Sequence, residues 1–253
     1  MTHASLFSGI GGFDLAAEWV GWNNIFHCEW NPFGQRVLAH HFPNSKSYND
    51  ITKTNFSIHA GEIDVLTGGF PCQPYSSAGK RLGKADERHL FPEMLRAINE
   101  VKPTWVVGEN VLGIVNWGGG VVFNEVQVDL ENQGYEVQAY ILPACGKNAP
   151  HKRERTWFIA YSNSARLHKQ YIPTKSKEKI SHSGIFNEKR NFSSFPTQPP
   201  ICGGDDGIPK ELDSITFSKW RNQSIKGYGN AIVPQVAYEI FKAIQSFDDL
   251  VNV

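Results

Sequence analysis

The sequence predicts an α/β protein built on a doubly wound, mostly parallel sheet, and three patterns carry that expectation. Short apolar runs alternate with longer stretches whose apolar residues recur every three or four positions, the alternation that βαβ units produce. The alternation holds as far as Tyr161 and then stops. Helical periodicity returns near the end, from Val233 to Phe247, which is expected to bring the chain back to the first domain.

The elements follow in order. Ala4 to Phe7 reads as the first strand, with a helix from Phe13 to Val20 behind it. Asn24 to Cys28 is the second strand, followed by a helix from Phe33 to His41. Asp64 to Thr67 and Trp105 to Gly108 are two more, each leading to a helix, Phe91 to Val101 and Phe123 to Gln133. Val137 to Leu142 and Thr156 to Tyr161 complete the sheet. Residues 162–222 are rich in Ser, Asn, Lys, Pro and Gly without a long periodic stretch, so a small irregular domain or a flexible insertion is expected there. The predicted division is 1–161, 162–222 and 223–253.

Composition narrows the class. At 253 residues and 40% hydrophobic, the chain can bury one large core plus a small appended module. The formal net charge is zero, so affinity for nucleic acid must come from uneven placement of Lys and Arg. Residues 1–161 carry 13 Lys and Arg against 16 Asp and Glu, whereas residues 162–222 carry 10 against 6. The basic surplus therefore lies in one late block. The four cysteines, at 28, 72, 145 and 202, form no CxxC pair, which suggests neither a disulfide framework nor a metal site and fits a reducing cytoplasm. Asp14 and Glu18 interrupt the first apolar stretch, and no apolar run approaches the roughly 18 residues of a membrane span. No membrane association is expected, and a monomer is.

The chemistry concentrates at strand ends. Gly68-Gly69-Phe70-Pro71-Cys72-Gln73-Pro74-Tyr75-Ser76 places one cysteine in a proline-bracketed loop directly after an apolar run; prolines on both sides fix φ and stop strand or helix from continuing. That is the setting of an exposed nucleophile. The first strand ends in Phe7-Ser8-Gly9-Ile10-Gly11-Gly12-Phe13, a turn that lets backbone approach a ligand and points N–H groups at it. Glu29 ends the second apolar run about 20 residues on, where an acid can accept from ribose hydroxyls; together they suggest a nucleoside cofactor. Glu109 follows another strand and shares the carboxyl edge with Cys72 and the glycine turn. Arg153 and Arg155, entering the last strand at alternate positions, share one side.

Five segments, in order, resemble motifs of the DNA (cytosine-5)-methyltransferases: Phe-Ser-Gly-Ile-Gly-Gly-Phe, Pro71-Cys72-Gln73-Pro74, Glu109-Asn110-Val111, His151-Lys152-Arg153-Glu154-Arg155 and Gly229-Asn230-Ala231-Ile232-Val233. Two departures are visible. Ser5 stands where many members have Asp, and His151 where the family has Gln. The resemblance implies a class I S-adenosylmethionine-dependent fold, Rossmann-like, and a methyl transfer to C5 of a cytosine flipped out of double-stranded DNA, as in restriction-modification systems. It implies Cys72, Glu109, Arg153 and Arg155 as catalytic groups. It also implies an S-adenosylmethionine pocket of Phe7, Gly9, Ile10, Gly11, Gly12, Glu29, Trp30, Asp50, Ile51, Pro71, Asn230 and Ala231, with Asp50 near the adenine amine. Ser76, Lys80, Arg81 and Lys84, in a loop of small residues beside the nucleophile, are expected to meet DNA. Residues 162–222 are expected to read the target sequence, with Lys175, Lys177 and Lys179 meeting DNA phosphates. A transfer-RNA methyltransferase of the same fold and a catalytically silent DNA-binding module are the competing readings.

Overall fold

The computed structural model describes residues 1–71, 90–147, 149, 152–164 and 216–251. Seven strands are present among them: β1 (Thr2–Leu6), β2 (Asn23–Cys28), β3 (Lys46–Tyr48), β4 (Val65–Gly68), β5 (Trp105–Val111), β6 (Tyr135–Pro143) and β7 (Glu154–Ser162). They form one sheet in the order β3-β2-β1-β4-β5-β7-β6. Neighbours are parallel from β3 to β5, and β7 runs antiparallel to both β5 and β6. The predicted doubly wound, mostly parallel sheet is thus observed, with one reversed strand.

Helices cover both faces, and their apolar spacing shows why. α3 (Phe91–Val101) buries Phe91, Met94, Ala97, Ile98 and Val101, one stripe at three- and four-residue intervals. It packs with α4 (Val121–Asn132) in a core that includes Leu66, Val106 and Phe158. On the other face, α1 (Gly12–Val20) and α6 (Pro234–Val251) share a core with Val65, Val107 and Trp157. Phe241 of α6 is fully buried there, stacked on Trp22 at 4.7 Å. The terminal helix thus shares its core with α1, β4, β5 and β7. α2 (Pro32–His41) starts where a cap requires it: Asn31 accepts from the Phe33 N–H at 2.8 Å, and proline occupies the first turn.

Two elements escape sequence reading. β3 is three residues of Lys-Ser-Tyr at the sheet edge, too short and too polar to show periodicity. α5 (Thr216–Asn230) contains two glycines and only four apolar residues in fifteen; it begins inside the segment expected to be irregular and runs past residue 222. Its Gly227 lies against Ile10 and Phe33, so tertiary contact stabilises a helix that local propensity disfavours. No helix among the described residues is long and apolar enough to cross a membrane.

The register positions the chemistry. Tyr48, Cys28, Leu6, Gly68 and Gly108 are paired across five adjacent strands. The residues that follow four of them, Glu29, Phe7, Gly69 and Glu109, therefore emerge side by side at the carboxyl edge, where open α/β sheets bind ligands. β7 brings its beginning rather than its end to that edge because it is reversed, and Arg155 pairs with Val111. Three strand spacings, about 14 Å, separate Glu29 from Glu109. The two acids cannot serve the same small group.

Candidate active site

The glycine turn is compressed from two sides. Phe7 and Gly9 both have positive φ, 52° and 59°, and for phenylalanine that is a strained conformation of the kind stored at functional sites. Gly34, inside α2, comes so near that a Cβ there would meet the Gly9 carbonyl oxygen at 2.4 Å; only glycine permits this helix to pack on the turn. From the opposite side, a Cβ at Gly12 would meet the backbone oxygen of Ile232 at 2.8 Å. The late Gly-Asn-Ala-Ile segment thus closes directly on the early turn. Glu29 ties the turn to α2: its Oε2 accepts from the Gly9 N–H at 2.6 Å and its Oε1 from the Asn31 N–H at 2.7 Å. Burial raises the Glu29 pKa, and these two N–H groups oppose the shift. Each oxygen retains a lone pair for a further donor.

Beneath the turn lies a buried acid. Ser5 donates to the Asp14 carboxylate at 2.9 and 3.0 Å and touches the Ser8 hydroxyl at 2.6 Å. Asp14 is fully buried. Its carboxyl is pushed up to about 7, chiefly by burial and against the Ser5 hydrogen bond. Because the folded value exceeds the unfolded one, the folded state binds the extra proton, and stability falls as pH rises from about 4 to about 7. Asp14→Asn is therefore expected to flatten that decline and gain stability relative to the parent between pH 5 and pH 8. Urea denaturation at both values checks it; a parallel pH dependence in the variant counts against a protonated Asp14.

The second half of the site gathers at β4, β5 and β7. Gly69, Phe70 and Pro71 are the last described residues before Cys72. Asn110, buried, donates from Nδ2 to the Phe70 carbonyl at 3.1 Å and so anchors the chain two residues before the cysteine. On the opposite sheet face, a Cβ at Gly69 would stand 3.5 Å from Glu109 Oε2. The other Glu109 oxygen pairs with Arg155 Nε at 3.0 Å. The Glu109 carboxyl is pushed up to about 7, burial outweighing the attraction of Arg155 and Arg153. It is thus an acid capable of holding a proton near neutrality beside a cation. Arg153 turns elsewhere: its Nη2 donates to the carbonyls of Gly229 and Ala231, both at 2.8 Å. Its backbone has φ of 33°, and its own pKa is lowered by burial and by Arg155.

The structure brings together Phe7, Gly9, Ile10, Gly11, Gly12 and Glu29 in one turn, and Pro71, Glu109 and Arg155 in a second group along the same edge. Arg153 joins the second group to the Gly229–Ala231 segment. Asn230 is exposed, as is Trp30 at 71%. Asp50 and Ile51 follow β3; Asp50 Oδ1 accepts from the Thr52 N–H at 3.0 Å and the Thr52 hydroxyl at 2.7 Å. Cys72, Ser76, Lys80, Arg81, Lys84, His151, Lys175, Lys177 and Lys179 lie outside the described residues. Sequence reasoning assigned no individual role to Asn110, Gly34 or Ile232. An amide ending an apolar strand and a glycine inside a helix were the available signals for the first two.

Residues 1–199 match the family model of C-5 cytosine-specific DNA methylase. The chain is 34% identical over 169 residues to the Type II methyltransferase M.HhaI of Haemophilus parahaemolyticus, covering 66% of this chain and 51% of that protein. It is 31% identical over 234 residues to the Type II methyltransferase M.DdeI of Desulfomicrobium norvegicum, covering 90% of this chain and 55% of that one. Among solved structures, the S. pombe Dnmt2 methyltransferase shares the fold, with a TM-score of 0.53 at 22% identity over 70% of this chain and 58% of that one. The chain spans about half the length of the curated relatives it matches.

Proposed function

The chain belongs to the C-5 cytosine-specific DNA methylase family, and from that premise we propose that it transfers a methyl group from S-adenosylmethionine to C5 of a cytosine in duplex DNA, through a covalent Cys72 adduct. The observation that carries the reading is the largely buried Glu109 carboxyl, paired with Arg155 and lying against Gly69, three residues before Cys72. It stands on the same sheet edge as a glycine turn closed by Ile232.

The residues present fit an adenosyl ligand. A Cβ built on Gly9 meets nothing within 4 Å, so there is open space above the turn. Glu29 keeps acceptor capacity for ribose hydroxyls, and Trp30 offers an exposed ring next to it in sequence. When bound, S-adenosylmethionine supplies the electrophilic methyl group that C5 takes.

The chain's own groups make C5 able to take it. The Cys72 thiolate adds to C6, the ring's C5–C6 double bond opens toward C5, and negative charge builds toward N3. Glu109, protonated near neutrality, donates at N3 and spreads that charge. Arg155 holds the Glu109 carboxyl in place and adds positive potential at the carbonyl side of the base. After methylation, which would leave S-adenosylhomocysteine, the C5 proton leaves to a base, water being one candidate; the N3 proton returns to Glu109 and the C6–S bond breaks to restore the aromatic ring and the thiolate. Cytosine C5 and C6 are hidden in the duplex stack, so the base is extruded into the site. Ser76, Lys80, Arg81 and Lys84, with Lys175, Lys177 and Lys179, would meet the phosphates, and residues 162–222 would read the sequence.

Incubation with tritiated S-adenosylmethionine and either duplex DNA or transfer RNA tests this reading. Label recovered as 5-methylcytosine from DNA is the expected result. Label in transfer RNA alone moves the substrate to RNA, and label in neither leaves a silent binding module.

A further inference from the structure

Asp50 belongs to a turn whose shape is held largely from outside itself. Within the turn, the Asp50 carbonyl accepts from the Thr54 hydroxyl at 2.7 Å and the Lys53 N–H at 3.2 Å. The stronger hold comes from α3, through Arg96. Its Nη2 donates to the Ile51 carbonyl at 2.5 Å and its Nη1 to the Thr54 carbonyl at 3.1 Å. The guanidinium is itself fixed by two acids of the same helix, with Nε on Glu93 at 2.8 Å and Nη1 on Glu100 at 2.6 Å. The second Glu100 oxygen accepts from the Phe56 N–H at 2.7 Å, and Phe56 is fully buried against Phe26. One planar group thus spans the turn from Ile51 to Thr54, and its companion acid pins the chain two residues beyond.

Lysine could not reproduce this. A guanidinium presents donors in a rigid fork, whereas an ammonium is a single point on a flexible stem. Four donor directions are used here in one plane, two toward the turn and two toward its own helix. The result is a defined exit for the Asp50 side chain, which carries no hydrogen bond from Arg96 itself.

We propose that Arg96 is a positioning residue for adenine recognition, holding the Asp50–Thr54 turn so that Asp50 faces the exocyclic amine of the cofactor's base. This rests on the reading of Asp50 and of S-adenosylmethionine given above. Arg96 touches neither the cofactor nor DNA; it acts through the turn.

The test compares two ligands that differ at the amine: S-adenosylhomocysteine and S-inosylhomocysteine, whose base has oxygen in its place. Calorimetry on the parent is expected to show a preference of about tenfold or more for the adenosyl ligand, since the inosine oxygen sets an acceptor against the carboxylate where the amine offers a donor. Asp50→Asn should collapse that preference. Arg96→Lys should collapse it as well, with S-inosylhomocysteine bound within about twofold of the parent. Arg96→Lys retaining the parent's preference overturns the proposal, as does an equal weakening of both ligands, which marks a merely structural arginine. A parent without preference, or one that Asp50→Asn leaves unchanged, removes Asp50 from the amine and the proposal with it. Failure of the parent to bind either ligand instead overturns the cofactor reading. Should Arg96→Lys not fold, Glu100→Gln keeps an acceptor for the Phe56 N–H while loosening the arginine, and is expected to reduce the preference in the same direction.

Discussion

Replacing Cys72 by alanine is expected to reduce methyl transfer to background and to abolish a denaturation-resistant adduct with duplex DNA carrying 5-fluorocytosine at the target. Fluorine cannot leave C5 as a proton does, so the parent enzyme stalls with the C6–S bond intact. The remaining cysteines provide the control, and chemistry already separates one of them. Cys28 is buried in β2, and burial, with Glu29 and Asp50 nearby, pushes its thiol up to about 12. At neutral pH it is almost wholly thiol, whereas the thiolate is the nucleophile. Cys145 is exposed and lies in a helical turn after β6, two strand positions beyond β5 in the sheet. Cys28→Ala, Cys145→Ala and Cys202→Ala should all retain the adduct on gels. An adduct surviving Cys72→Ala would sink the assignment.

Glu109→Gln is expected to lower the single-turnover rate by about 10²–10⁴-fold, the usual contribution of a positioned acid. Affinity for S-adenosylmethionine should be spared, because Glu109 stands three strands from Glu29. The pH profile supplies a sharper readout. With its carboxyl pushed up to about 7, Glu109 keeps its proton between its ordinary range and neutrality. It loses that proton above. The parent's rate should therefore fall as pH rises through about 7, while the glutamine variant, which has nothing to lose there, should show no such limb. Calorimetry finding that Glu109→Gln weakens the cofactor while the rate stands would mean that the roles of the two acids are exchanged.

Much of this architecture was legible because it is written in local patterns. The stripe of α3 and the runs of β1, β4 and β5 repeat at the periods their backbones impose. β3 and α5 were not legible, since one is a three-residue edge strand and the other a glycine-containing helix held by Ile10 and Phe33. The same division runs through the site. Glu29 and Glu109 could be named from their places after apolar runs. Arg153 was expected near the base, and its guanidinium is found on the carbonyls of Gly229 and Ala231.

The order of the elements other than β3 and α5, the doubly wound sheet and the strand-end placement of Pro71, Glu29, Glu109 and the glycine turn were determined by sequence alone. Each depends on hydrophobic period and turn chemistry within a few neighbouring residues. Tertiary structure alone decided the reversal of β7, the closure of Ile232 on Gly12, the anchoring of Phe70 by Asn110 and the hold of Arg96 on the Asp50 turn. These contacts join residues some 40 to 220 positions apart, and no local period encodes which distant carbonyl a side chain will meet once the core has packed.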